Sequence, residues 1–278
     1  MKLVTKIRNM GNLTQRIIAG LAGAFIMISA ICFNEWSYFA LLFTICLLSL
    51  IEFYNLIEVA EIKPNKIFGV VSGMMIFTLF FLIEKQVLTF DCYFLLFPFL
   101  FLLFLMELFR KNDKPFFNIA FTFLGNIYIA LPFGLLHVCA FYLQEYNFHI
   151  ILGILLILWA NDIGGYVAGM ALGKTKLFFR ISPKKTWEGS IGGGLFALAI
   201  GFTLSLFWKE LDTLHWLIMA AIIVVVGSYG DLVESLLKRS LAIKDSAQTI
   251  PGHGGFLDRF DGLLLSSPFI AAFLKIFS

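Results

Sequence analysis

The sequence predicts an all-α, polytopic integral membrane protein of about nine transmembrane helices with its N-terminus in the cytoplasm. Composition is the first observation behind that prediction: 60% of the 278 residues are hydrophobic and 14% are charged, with a mean hydropathy of +0.90. One soluble core of this length has no room for so much apolar surface, so the chain needs lipid around it. Spacing is the second: apolar runs long enough to cross ~30 Å of hydrocarbon at ~1.5 Å per residue recur nine times. The third is charge, because eighteen of the 21 Lys and Arg residues fall before the first run or in alternate loops. That is the pattern of a chain whose basic loops stay in the cytoplasm.

In order, the runs cover residues 17–33, 36–56, 67–83, 93–109, 116–142, 150–172, 190–208, 214–237 and 262–277. The first follows Lys2, Lys6, Arg8 and Arg16 but has no small-x-small cleavage site after it, so it reads as a retained span and not a signal peptide. Basic residues recur at Lys63 and Lys66, from Arg110 to Lys114, from Lys174 to Lys185 and from Lys238 to Arg259, leaving Lys85, Lys209 and Lys275 for the other side. Adding or dropping one span would scramble this split. The net charge of +3 is dispersed among loops and forms no continuous basic face, which argues against nucleic-acid binding. Cys32, Cys46, Cys92 and Cys139 stand singly in apolar stretches, a pattern of packing and not of metal or disulfide sites.

Polar content divides the chain in two. Residues 1–147, about five spans, read as a transmembrane scaffold whose Glu52 and Glu107 snorkel to the interface or pair with nearby basic groups. Residues 148–278, about four spans, read as the catalytic region, with its site at the cytoplasmic face. There Gly165, Gly169 and Gly173, and then Gly189, Gly193, Ala197 and Gly201, recur every fourth position, giving two smooth stripes for close helix packing.

The loop Ser182-Pro183-Lys184-Lys185-Thr186-Trp187-Glu188 places hydroxyls and ammonium groups ahead of a helix, where phosphate oxygens bind well. Thr186 as a plain N-cap, with the lysines anchored to anionic lipid, is the competing reading. Further on, Asp231, Glu234, Ser235 and Lys238 share one helical face at ~100° per residue. Asp258 and Asp261, three apart, share another. Such charges cost several kcal/mol each beside lipid unless they are paired, solvated or metal-bound, so they form either an ion-pair network or a working site. Carboxylates with phosphate oxygens suit Mg²⁺, with Asp231, Asp258 and Asp261 as the expected ligands. His137, His149 and His215 fall near the outer face in this topology, and His253 alone is cytoplasmic. Chemistry of this kind reaches metal-assisted phosphoryl or nucleotidyl transfer on a membrane substrate.

The segment from Ser235 to Asp261 carries a longer pattern: Ser235-x-x-Lys238-Arg239-x4-Lys244-Asp245, then Pro251-x-His253-Gly254-Gly255-x-x-Asp258-Arg259-x-Asp261. It resembles the signature of the phosphatidate cytidylyltransferases, the CDP-diacylglycerol synthases. Their Ser-Pro-x-Lys-Thr-Trp-x-Gly segment is matched by Ser182, Pro183, Lys185, Thr186, Trp187 and Gly189, and their Asp-x-Gly-x-Tyr segment by Asp162, Gly164 and Tyr166. Met170 stands where that family is usually basic. The resemblance implies attack of a phosphatidic acid phosphate oxygen on the α-phosphorus of CTP, giving CDP-diacylglycerol and pyrophosphate with Mg²⁺. It implies catalytic work by Asp258, Asp261, Lys238, Lys244, Asp245 and His253, beside Asp231, which the shared helical face adds. Substrate contacts then fall to Ser182, Lys185, Thr186, Ser235, Arg239, Gly254, Gly255, Arg259 and Asp162. The expected setting is the inner (plasma) membrane, with the site facing the cytoplasm and a homodimer left open. CDP-alcohol phosphotransferases and polyprenyl-phosphate sugar transferases use different aspartate motifs, and a transporter would spread its polar groups along a path through several spans.

Overall fold

The structure, a computed structural model, describes residues 12–241 and 254–277. The expectations for Lys244, Asp245 and His253, and for the basic residues ahead of the first helix, lie outside the described residues. Nine long helices stand within them at the nine expected places. They are α1 (Asn12–Phe33), α2 (Glu35–Val59), α3 (Lys66–Glu84), α4 (Phe90–Phe109), α5 (Pro115–Ala140), α6 (Phe148–Leu172), α7 (Trp187–Phe207), α8 (Thr213–Ser240) and α9 (Leu257–Ile276). Seven of them, α2 to α8, are long and apolar enough to cross a membrane by length and composition. The apolar part of α1 is Gly20–Phe33, and α9 carries Asp258, Arg259, Asp261 and Lys275. The chain is thus an all-α, polytopic membrane protein.

Local sequence sets the helix boundaries. Asn34 separates α1 from α2 by a capping box, its side chain accepting from Trp36 N and Ser37 N at 2.9 Å while Ser37 Oγ accepts from Asn34 N. Asn65, Asn147, Thr186 and Asp212 cap α3, α6, α7 and α8 in the same way, each side chain accepting a first-turn amide. Pro115 opens α5, where a missing N–H costs nothing. Between α6 and α7 the chain forms one short antiparallel hairpin, β1 (Lys176–Phe178) with β2 (Ser182–Thr186), in place of the open loop expected from sequence.

The core is aromatic. Tyr38, Phe53, Phe77, Phe81, Phe133 and Trp216 are fully buried, and His137 is enclosed by the rings of Tyr38, Phe77 and Phe81. The most extensive helix contact is α6 against α7, and the glycine stripes are its cause. A methyl group added at Gly193 would stand 2.6 Å from the Asn161 carbonyl oxygen, and one at Gly189 would stand 3.0 Å from that of Gly165. Gly201 instead faces α8, 3.1 Å from the Trp216 carbonyl on the same measure.

Alternating helix directions give the bundle two chemically different ends. At the end holding the α1–α2 and α3–α4 connections, Lys85 pairs with Glu35, Lys275 with Glu84 at 3.3 Å, and His149 with Glu210. Lys209 donates to the Ser205 carbonyl at 2.8 Å. All three lysines expected on the outer side therefore have local partners. The other end carries the basic loops and the candidate site.

Candidate active site

Two helix segments meet backbone to backbone at the basic end. A methyl group added at Gly230 of α8 would lie 2.5 Å from the Asp261 carbonyl oxygen and 2.9 Å from Gly262 Cα of α9. That approach brings the neighbouring Asp231 and Asp261 side chains together. Glu234 joins them one turn along α8, and one ligating oxygen from each of the three carboxylates lies within 4.8 Å of the others. Asp258 stands outside this group of three. Its Oδ1 accepts from Lys238 Nζ at 2.6 Å and its Oδ2 from the Gly255 N–H at 3.0 Å. The structure thus unites two of the three expected metal ligands, and the third place in the group belongs to Glu234.

The shared face read from the α8 sequence is present as bonds. Ser235 Oγ donates to Asp231 Oδ1 at 3.3 Å, and Lys238 Nζ donates to Glu234 Oε2 at 3.1 Å. From across the groove, β2 delivers Lys185, whose Nζ lies 2.7 Å from Asp231 Oδ2 and donates to the Ser228 carbonyl at 3.0 Å. Asp162 of α6 is within electrostatic reach of Lys185, Asp231 and Arg259, so the sixth helix borders the same site. Five carboxylates (Asp162, Asp231, Glu234, Asp258 and Asp261) thereby meet three side-chain cations (Lys185, Lys238 and Arg259) among the described residues.

Other expected residues occupy less central positions. Thr186 is buried as the N-cap of α7, its Oγ1 accepting from Gly189 N at 3.2 Å, so the capping role is real whatever else the hydroxyl does. Glu188 reaches back to accept from Lys174 N and Thr175 N at 3.1 Å, which braces the hairpin. Ser182 is half-buried in β2, whereas Arg239 and Arg259 are exposed. Gly254 adopts φ +80°, a left-handed conformation that glycine takes without a Cβ penalty, and the chain then turns into α9.

Does this donor set fit a divalent metal? Glu234 Oε1 is buried and has no hydrogen-bond partner. A carboxylate oxygen left bare inside a protein costs about 1–3 kcal/mol or more, so its presence beside Asp231 and Asp261 points to a ligand. Hard oxygen donors suit Mg²⁺ or a similar ion, and the group contains neither His nor Cys. The residues present fit a divalent cation.

The model of the cytidylyltransferase family matches residues 14–277. The chain belongs to that family. It is 32% identical over 276 residues to a phosphatidate cytidylyltransferase of Bacillus subtilis, a match covering 97% of this chain and all of that one. It is also similar to proteins of the same name from Staphylococcus haemolyticus, at 36% over 162 residues (58% of this chain, 60% of that one), and from Haemophilus influenzae, at 40% over 129 residues (45% of each). Family membership makes the chain a CTP-dependent nucleotidyltransferase, an enzyme class that generally uses a divalent metal.

Three residues of this region were not singled out by the motifs. Glu234 had a signal, since it is three residues after Asp231 on the shared face. Glu52 of α2 is buried and its Oε2 accepts from the Phe256 N–H at 2.9 Å, a bond across 204 positions that no local pattern announces. Tyr128 sits in a widened π-type turn of α5, Asn126–Ala130, its hydroxyl buried without a hydrogen-bond partner and within electrostatic reach of Glu234, Asp261 and Asp231.

Proposed function

We propose that the chain transfers the CMP moiety of CTP to phosphatidic acid, with Mg²⁺ held by Asp231, Glu234 and Asp261, at the cytoplasmic face of the bacterial plasma membrane. The observation that carries this reading is the gathering of those three carboxylates, with Lys185 and Asp162 beside them, at the end of the bundle that bears the basic loops. The names of the relatives supply the two substrates, and the long match to the Bacillus protein supports their transfer to this chain.

In this reading a phosphatidate oxygen, already ionised near neutral pH, attacks the α-phosphorus of CTP. One P–O bond forms, the α–β bridge bond breaks, and pyrophosphate leaves, so no side chain has to remove a proton. The chemistry a divalent cation supplies when bound is neutralisation of the triphosphate and of the charge growing on the leaving group. Lys185 shifts from Asp231 toward phosphate oxygens, and Arg259 and Arg239 offer further donors from exposed positions. Ser182, Thr186, Gly254 and Gly255 border the substrates. Lys238 holds Asp258 and Glu234 in place, and Lys244, Asp245 and His253 of the matched signature complete the set. Catalysis is then mainly positioning and charge stabilisation.

The lipid's acyl chains stay in the bilayer along α6 to α9, while CTP arrives from the cytosol. Residues 1–147 serve as scaffold and 148–278 as catalytic region, with nine spans, the N-terminus inside and the C-terminus outside.

Purified full-length protein in detergent, given labelled CTP, Mg²⁺ and phosphatidic acid, is expected to release pyrophosphate and form a CDP-lipid. Turnover of another lipid phosphate without phosphatidic acid turnover would overturn the substrate assignment. For orientation, a reporter at the C-terminus is expected outside and one at Thr249 inside; both on one side would remove the ninth span.

A further inference from the structure

We propose that Glu52, in the scaffold half, is a positioning residue for Asp261, the metal-binding carboxylate of α9. The inference rests on the proposed metal site. Glu52 is buried in α2, and its Oε2 accepts the Phe256 N–H at 2.9 Å. Phe256 immediately precedes α9 with helical backbone angles, φ −66° and ψ −40°, and the next amide back, Gly255 N–H, is held by Asp258. Two successive amides at the start of α9 are therefore gripped by carboxylates, one from α9 itself and one from a helix 204 positions away.

The consequence is geometric. The segment before α9 leaves a glycine at φ +80°, a flexible entry that does not by itself fix where the helix begins. Asp261 stands at the second turn of that helix, and its backbone already touches Gly230 of α8. Metal-binding groups have to be held within about 0.5 Å of their working positions, which side chains on the ligands' own helices alone do not ensure. Glu52 supplies a fixed point from a neighbouring helix whose place is set by the aromatic core. A negative group at a helix N-terminus is also favoured by the helix dipole, so the bond has a local reason to form.

The test uses full-length protein in detergent. Mn²⁺ binding is measured directly from the loss of the free-ion electron paramagnetic resonance signal, alongside kcat and the KM values for CTP and phosphatidic acid. Glu52→Leu removes the acceptor and is expected to weaken Mn²⁺ binding about 10-fold and lower kcat about 30-fold, with KM for CTP changed less than about 3-fold. Glu52→Gln keeps an oxygen acceptor and is expected to recover most of both losses. Glu107→Leu, another buried acid removed, is the control for general destabilisation and is expected to leave Mn²⁺ affinity unchanged. If Glu52→Leu does not fold, Phe256→Pro removes the same N–H at backbone angles that proline adopts, and is expected to weaken Mn²⁺ binding to a similar extent. Wild-type Mn²⁺ affinity in Glu52→Leu, or in Phe256→Pro where only that variant folds, would overturn the positioning role provided Asp261→Asn abolishes binding. Retained binding in Asp261→Asn would instead remove the metal site itself, and this inference with it.

Discussion

Two of the acids buried at the basic end of the bundle invite comparison: Glu107, beside the α4–α5 turn, and Glu234, in α8. Glu107 is fully engaged, accepting from Arg110 at 2.9 Å, Asn112 at 3.1 Å and Asn118 at 2.8 Å. Its neighbours are all drawn from one turn and the helices it joins, so the carboxylate ties α4 to α5 with both of its oxygens already partnered. Glu234 has Lys238 on one oxygen and no hydrogen bond on the other, in the company of Asp231 and Asp261. Burial alone therefore does not mark function here. What sets Glu234 apart, in the reading proposed above, is a buried oxygen without a hydrogen bond beside two other carboxylates, an arrangement that costs stability until a cation joins it.

The sharpest way to break this contrast is to neutralise each acid. Asp231→Asn, Glu234→Gln and Asp261→Asn are each expected to reduce kcat by at least ~10²-fold with the fold intact, because ligands of one metal act as a unit. Glu107→Leu is expected to do the reverse, leaving kcat near normal while lowering stability by about 1–3 kcal/mol per buried partner left bare. Steady-state kinetics and thermal unfolding in detergent separate the two outcomes. A near-normal rate in any one of the first three would dissolve the proposed metal group.

Lys185 extends the comparison from acids to bases. Lys185→Gln is expected to lower kcat/KM by roughly 10- to 10³-fold, since a charge-assisted contact to phosphate is worth ~1.5–3 kcal/mol. Lys176→Gln, exposed in the partner strand of the same hairpin, is expected to cost far less. Equal small losses that fade at high salt would return both lysines to lipid anchoring.

Smaller effects are expected further from the shared carboxylates. Asp258→Asn weakens the pair with Lys238 but leaves the group of three intact, so its loss in kcat should be about 10-fold and below that of Asp261→Asn. Gly230→Ala forces α8 from α9 and is expected to cost about 1–3 kcal/mol of stability with a measurable fall in rate. Gly23→Ala, with nothing within 4 Å of the added methyl, is expected to be silent in both assays.

Much of the site was legible because its residues are close in sequence or on one helical face. Asp231, Ser235 and Lys238 are placed by helix periodicity, and Thr186 by the chemistry of an N-cap. The helix positions likewise follow from hydropathy, since seven of the runs form helices long and apolar enough to cross a membrane, and Asn34, Asn65, Asn147, Thr186 and Asp212 cap five of the helix starts. Asp258 was harder. A face shared with Asp261 does not say which of the two meets α8 and which meets Lys238, because that depends on how far the two helices approach.

The sequence by itself determined the membrane class, the helix order, the basic and non-basic ends, and the cluster of polar residues between 162 and 261. Each of these is read from local composition or short spacing, which the chain carries wherever it folds. Only the tertiary structure decided that Glu234 joins Asp231 and Asp261, that Glu52 grips the start of α9, and that the Tyr128 hydroxyl lies buried near the carboxylates. Those contacts join residues up to 204 positions apart. The first exists because α8, stripped to glycine at Gly230, approaches α9 until their backbones touch, and no one-dimensional pattern specifies which neighbour such a glycine will meet.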